Sequence, residues 1–365
     1  MDFKKIFIKD ATPTKIGGQA VLEGIMMKGE DRTAVVVRCE DKRLHIKTEK
    51  LPARGKAAEI PVIRGVYIFV STLVTGMKTL MYSAEVLETI AEENNADGAA
   101  PEADPDGSEC AEGTKSAKSA KGAKGAKADE SEGGMPFGVM IVFSVVIALA
   151  FVVGIFIIVP TVAVSFLSTV IDNAILLNVF EGVLRIIFFV IYIVVISKMK
   201  EIQTTFEYHG AEHKTIHCFE SGLPLTPRNA DSFETLHPRC GTSFLMFVMI
   251  IALLVFSLLG WPNLALRILS RIVFIPVIAG LSYELLRYAG SNDTLLIRVL
   301  SVPGLLLQKL TTRNPDGSQL EVAIAALKAV IVPGETPEIE GFCDTDGMLL
   351  PAEDSLIFQS ALEGY

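Results

Sequence analysis

Charge is scarce in this chain. Only 21% of its 365 residues are Asp, Glu, Lys or Arg, whereas 50% are hydrophobic, and the mean hydropathy is +0.44. That balance excludes an ordinary soluble domain and fits a membrane protein. Positive charge is the scarcer sign. With 33 Lys and Arg against 42 Asp and Glu, the formal net charge is −9, which argues against a nucleic-acid partner. Cysteine is rare, odd in number and scattered, at positions 39, 110, 218, 240 and 343, so a disulfide framework is not expected. The first ten residues, Met1 to Asp10, lack the apolar run of a signal peptide, so the N-terminal region is expected to stay on the side where it is made. Histidine is nearly absent too. Of five, four lie at 209, 213, 217 and 237, in a polar stretch that also holds Cys218 and Cys240. Those two cysteines favour thiol or metal roles in a reducing compartment.

The composition shifts divide the chain. Residues 1–58 read as a small β-containing unit. Ala34–Arg38 and Arg43–Thr48 alternate as two strands about a Glu40-Asp41-Lys42 turn. Two strands are too few for an independent core, so the unit must pack on something else. Gly17-Gly18-Gln19-Ala20-Val21-Leu22-Glu23-Gly24 is glycine-rich but matches no phosphate-binding pattern. It reads as a tight turn into a regular element, with Gln19 and Glu23 able to reach a neighbouring site. Residues 59–91 carry apolar side chains at helical spacing from Pro61, with Arg64, Ser71, Thr75, Lys78 and Tyr82 on the other face. This predicts a helix on the membrane or against a bundle, with a polar-lined span as the alternative. Residues 92–134, rich in Ala, Gly and Ser, with a lysine at every third position from Lys115 to Lys127, read as a disordered linker.

Residues 135–290 hold four apolar runs, at 137–160, 174–197, 243–261 and 264–289. Each approaches the roughly 20 residues needed to cross a bilayer. The fold class expected is a mainly α-helical integral membrane protein of about four transmembrane helices, plus an amphipathic helix and the small β-containing N-terminal cytoplasmic unit. Short connections at Asp172-Asn173 and Trp261-Pro262-Asn263 make the spans antiparallel hairpins. The N-terminal unit, the 198–242 loop and the C-terminal region then share one side. That side holds Lys198, Lys200, Lys214, Arg228, Arg239, Lys309 and Arg313, which marks it as cytoplasmic, with the chain in the plasma (inner) membrane. Charges within the spans are costly. Glu181, Arg185, Arg267 and Arg271 are expected to face inward and share Glu181, with interfacial snorkelling as the alternative. Glu284 and Arg287 fall near the depth of the histidines. Residues 291–331 read as amphipathic helices, Thr294–Thr312 and Gln319–Ile331, separated by Asn314-Pro315-Asp316-Gly317, and 332–365 as an acidic flexible tail.

The histidines carry the chemistry. Residues 200–218 lack a helix breaker except Gly210, so the second span can run on into a cytoplasmic helix. His209 and His213 share one face of that helix, as do His213 and His217. His209 and His217 stand about 12 Å apart along a straight helix, too far to share one zinc. The ion must choose a pair, and His209 with His213 is favoured, with His237 or Cys240 completing the shell. His209-Gly210-Ala211-Glu212-His213 matches H-x-x-E-H, in which the glutamate is the general base. Glu212 is therefore the candidate base and Glu207 a candidate orienting group. Arg239 and Lys214 are candidates to hold an anionic substrate group. The divalent metal expected from imidazole and thiolate donors is zinc. Ser-based catalysis has no support, since Gly241-Thr242-Ser243-Phe244 lacks a nucleophile elbow.

The segments from Gly17 to Met27, Glu207 to Ile216, His237 to Phe244 and Val302 to Thr312 resemble the bacterial YqhQ family of multi-pass membrane proteins. The resemblance covers nearly the whole chain except the linker and the acidic tail. It implies a predicted metal-dependent enzyme. The leading reading is a membrane hydrolase with its His/Glu/Cys site at the cytoplasmic face, acting on a lipid-linked or membrane substrate, with the lipid bilayer as partner. One alternative is a non-enzymatic scaffold with a structural metal, signalled by four protein ligands. The other is a small transporter or ion-handling protein using the charged residues of the spans.

Overall fold

The computed structural model describes residues 3–8, 11–52, 59–97, 137–291, 294–331, 338–344 and 349. Its helices and strands are, in order, α1 (Phe3–Ile6), β1 (Gly17–Val21), β2 (Gly24–Lys28), β3 (Arg32–Arg38), β4 (Leu44–Lys50), α2 (Ile63–Asp97), α3 (Phe137–Val153), a π-helical turn (Gly154–Ile158), α4 (Val159–Leu167), α5 (Ala174–Ile196), α6 (Lys200–Glu220), α7 (Pro227–Asp231), α8 (Gly241–Ser257), α9 (Leu264–Val273), α10 (Ile275–Ser291), α11 (Leu295–Thr311), α12 (Gly317–Ile331) and β5 (Glu340–Cys343).

The N-terminal unit is a five-stranded antiparallel sheet in the order β1-β2-β3-β4-β5. Two of its strands are the expected pair, with Val36 opposite Ile46. The glycine-rich segment supplies two more, turning through Glu23 at φ 47°. β5 comes from the stretch read as a flexible tail, and pairs Cys343 with Leu44. Alternation sends the side chains to two faces. Ile25, Met27, Ala34, Val36, Leu44 and Ile46 pack on α6 and α12. Val21, Met26, Val35 and Val37 pack on Val86 and Ile90 of α2. The sheet is thus covered on both sides, as its small size requires.

α12 is not amphipathic in place. Leu320 and the whole run Val322–Leu327 are buried between α6 and the sheet. Asp316 caps it, accepting from the Gln319 N–H at 2.8 Å. α11 matches the expected helix after 294. α2 runs to Asp97, past residue 91 where the sequence ends it. The rest of the linker, from 98 to 134, lies outside the described residues. Arg64 of α2 pairs with Glu284 of α10 through Nε at 2.6 Å, which ties the two helices together.

Of the four apolar runs, two form helices long and apolar enough to cross a membrane, Val146–Leu167 and Ala174–Ile196. α9 and α10 would make a third only as one span bent by 44°. α8 has 17 residues, about 25 Å at 1.5 Å per residue, short of a roughly 30 Å hydrocarbon core. α5 and α6 are separate helices, not one. The chain turns extended at Met199, and Gln203 and Arg313 side chains donate to the carbonyls that the break frees at Ser197 and Lys198. No proline or glycine marks this break in the sequence.

The expected inward charges are all buried. Glu181 accepts from Thr161 at 2.9 Å and from Arg271 Nε at 3.1 Å, and pairs with Arg185 one turn away. Arg271 also donates to Asn178 at 2.7 Å. Arg267 departs from the expectation. It donates to Ser165 at 2.7 Å and lies 3.8 Å over the Trp261 ring.

Candidate metal centre

Four elements converge on the histidines. α6 presents His209 and His213 on one face, with ring centroids 4.4 Å apart. Cys240 caps the N-terminus of α8, its Sγ accepting from the Thr242 N–H at 3.4 Å. The end of α11 contributes the Thr311 carbonyl, and the loop after α7 that of Thr235. His209 Nδ1 donates to Thr311 O at 2.8 Å, and His213 Nδ1 to Thr235 O at 2.5 Å. With Nδ1 so engaged, Nε2 is the atom of each ring left to face an ion, the arrangement that orients metal-binding imidazoles. His209 Nε2 stands 3.1 Å from Cys240 Sγ. His213 Nε2 is buried with no hydrogen-bond partner among the described residues. One ligand atom from each of His209, His213 and Cys240 lies within 4.8 Å of the others.

A zinc ion with bonds near 2.1 Å to nitrogen and 2.3 Å to sulfur places its ligands roughly 3.4–3.7 Å apart. The separations, 3.1 Å for His209 Nε2 to Cys240 Sγ and none above 4.8 Å, bracket those distances, so small shifts would seat such an ion. Their electrostatics agree. Burial alone would raise the Cys240 thiol, but the adjacent His213 and His209 hold it well below its ordinary value. Burial would lower His209, yet Cys240 beside it lifts it to about 9. The cluster therefore rests as a Cys240 thiolate beside a protonated His209, and a cation binding there displaces the proton from His209 Nε2.

Glu212 sits against this cluster. Its Oε1 accepts from the Gly18 N–H of β1 at 2.8 Å, and burial raises its carboxyl above the ordinary range against the pull of His213 and His209. Gly18 is needed there. A Cβ would meet Met26 O at 2.7 Å and the Glu212 carboxyl carbon at 2.9 Å. Glu23 and Gln19 do not reach the metal ligands. Glu23 turns to the Tyr208 hydroxyl and Gln19 to the Gly76 carbonyl of α2.

The other predicted residues lie elsewhere. His237 is not in the cluster. It faces His217, ring centroids 4.5 Å apart, and its Nε2 stands 3.8 Å from Glu220, too far for a hydrogen bond. Burial pushes His237 well below its ordinary value, and His217 down to about 4. Arg239 is directed at Glu220 and held by both of its oxygens. Burial would raise Glu220, but His237, the Thr14 N–H and Arg239 together bring it to about 2. Lys214 is tied to Asp231 at 2.8 Å, and Glu207 accepts from Gln319 of α12 at 3.0 Å. Neither touches a ligand imidazole.

Two partners had no signal in the sequence, the carbonyls of Thr311 and Thr235, since every residue carries a carbonyl. Gln308 is a third missed residue. Its amide accepts from the His237 N–H at 2.8 Å and donates to the His237 carbonyl at 2.9 Å, pinning the loop that delivers Cys240.

Fold and site together define a mostly helical chain with membrane-length apolar helices, a covered N-terminal sheet and a His/His/Cys cluster in which His213 and Cys240 are buried and His209 half-buried. Residues 60–332 match the profile of a protein of unknown function, DUF1385, and the chain belongs to that family. It is 29% identical over 329 residues to the uncharacterized protein YqhQ of Bacillus subtilis (strain 168), covering 88% of this chain and 94% of the relative. No solved structure matches.

Proposed function

We propose that the chain is a plasma-membrane metalloenzyme that hydrolyses its substrate at the cytoplasmic face, using zinc held by His209, His213 and Cys240. The observation that carries this reading is the convergence of those three side chains, with both Nδ1 atoms engaged by backbone carbonyls and His213 Nε2 left without a partner. Three protein ligands leave a fourth position open, as in catalytic rather than structural zinc sites. When bound, zinc would supply Lewis-acid activation there. Glu212 is the base. It is buried beside the cluster, and burial holds its carboxyl above the ordinary range, which strengthens it as a proton acceptor. Arg239, engaged by Glu220, positions the His237–Cys240 loop in this reading rather than gripping substrate. In this reading Val146–Leu167 and Ala174–Ile196 cross the membrane as one hairpin, the shorter α8 and the bent α9–α10 pair enter it as a second, and the basic residues near the site favour the cytoplasmic side.

X-ray absorption at the zinc edge of the purified protein tests this. The expected shell is two imidazoles, one thiolate and one ligand not from the protein. A third imidazole from His237 would fill the shell and overturn catalysis in favour of a structural clip.

A second reading has its own observation. Cys240 Sγ sits at a helix N-terminus 3.1 Å from His209 Nε2, a geometry that also activates a thiol nucleophile without metal. Rapid labelling of Cys240 by iodoacetamide in chelator-treated and zinc-loaded protein alike would favour it. Protection by zinc favours the metal reading.

A further inference from the structure

We propose that the cleft between α2 and the sheet receives an anionic lipid from the bilayer and delivers its head to the Gly18 edge of the metal site. This deepens the hydrolytic reading and rests on it for the substrate role, whereas lipid binding itself does not depend on it.

Two cavities flank α2, of about 620 Å³ and about 600 Å³. They share Leu51, Pro52, Tyr67, Ser71 and Thr75 as walls, so they form one cleft divided by the middle of α2. Each is of the size that holds a small ligand or part of a larger one.

The larger cavity has the character of a lipid site. Val70, Val74 and Met81 line it and remain 51%, 51% and 56% exposed. They belong to an exposed apolar stripe that runs along α2 through Ile63, Leu73 and Met77. An acyl chain lying along that stripe enters the cavity without leaving an apolar surface. Lys50 and Lys78 stand at the rim, and neither makes an ion pair among the described residues. Lys47 is paired with Glu49 and Glu340, so Lys50 and Lys78 against Glu85 leave this wall positive, which suits an anionic head on an apolar tail.

The smaller cavity leads to the chemistry. Gly17, Gly18 and Gln19 line it, and the Gly18 N–H is the group bound to Glu212. β1 is the edge strand of the sheet, so the cavity ends at the strand whose Gly18 N–H holds Glu212, and a lipid head reaches the glutamate by passing this edge. Gly17 carries no side chain, and a Cβ there would meet nothing within 4 Å. The cleft therefore runs from the apolar stripe, past the lysines, to the strand that holds the base.

Native mass spectrometry of the full chain released from detergent, titrated with dihexanoyl phosphatidylglycerol or dihexanoyl phosphatidylcholine, tests the proposal. The wild type is expected to bind the phosphatidylglycerol in preference. Each lysine near an anionic head contributes about five-fold, so Lys50→Gln with Lys78→Gln should weaken that binding about 25-fold and leave the zwitterionic lipid unchanged. Thr75→Trp, which fills the shared wall, should abolish binding. Ser71→Trp serves if that variant does not fold. His213→Ala should keep lipid binding while losing zinc. Equal affinity for the two lipids, or unchanged binding in both tryptophan variants, overturns the cleft. Lipid binding by a wild type that takes up no zinc overturns the hydrolytic reading and the substrate role, and leaves the cleft as a lipid-binding site.

Discussion

Replacing Gly210 by alanine should weaken the metal centre without altering any ligand. Gly210 follows His209 on α6, where a Cβ would fall 1.9 Å from the Arg313 carbonyl oxygen. Ordinary contact begins at 3.4 Å, so the two backbones must separate by 3.4 − 1.9 = 1.5 Å. Arg313 is joined to α6 through its N–H to the Phe206 carbonyl at 2.9 Å. It lies two residues beyond Thr311, whose carbonyl orients His209 at 2.8 Å. A separation of that size carries the His209 contact past the roughly 3.2 Å limit of a hydrogen bond. Overpacking costs about 1–3 kcal/mol, and losing a buried hydrogen bond about as much again, so a loss of about 2–6 kcal/mol is expected. Zinc affinity should fall about 10–100-fold, as it does when a metal ligand loses its orienting partner. The assays are thermal unfolding in detergent and competition with a chromogenic chelator, beside Gly317→Ala, where a Cβ meets open space. Wild-type stability and zinc affinity in Gly210→Ala would refute the reasoning.

Other outcomes follow from the same geometry. Burial lowers His45 to about 4, so below pH 6.5 the unfolded chain takes up a proton that the folded chain does not. Stability is full above about pH 6.5 and falls by up to about 3 kcal/mol as pH drops toward 4. Hydrogen exchange of the β3–β4 amides should report this, and His45→Phe should remove its share of the slope, leaving that of His217 and His237. Gln308→Leu leaves both backbone groups of His237 without their amide partner. It should cost about 2–4 kcal/mol in a melt and speed thiol labelling of Cys240, and an unchanged labelling rate would contradict the pinning role. Glu181→Leu strands Arg185 and Arg271 in the bundle and should destabilise by about 3–5 kcal/mol. If it melts like the wild type, that network carries no weight.

The His209–His213 pair was legible because spacing by one helical turn fixes a shared face, and Cys240 because thiolates suit the same ion. The engagement of Arg239 by Glu220 has no signal in the sequence, because Glu220 lies at the far end of α6 and meets it only when the loop folds back. The sharing of Glu181 could be anticipated from the cost of charge in an apolar helix. The pairing of Arg267 with Trp261 could not, since it depends on how the α8–α9 turn closes. β5 was hidden because four residues with one glycine carry too little alternation, and it forms only on the edge that β4 offers. The break at Ser197–Met199 has no local signal, because its freed carbonyls are satisfied by Gln203 and by Arg313, 116 residues away from Ser197.

The central claim, a metal held by His209, His213 and Cys240, is tested most directly by elemental analysis of the detergent-purified protein beside His209→Ala, His213→Ala, Cys240→Ala and His217→Ala. The account predicts close to one zinc per chain, lost in the first three variants and kept in His217→Ala. Folded wild-type protein that carries no metal and takes none up on titration would contradict it.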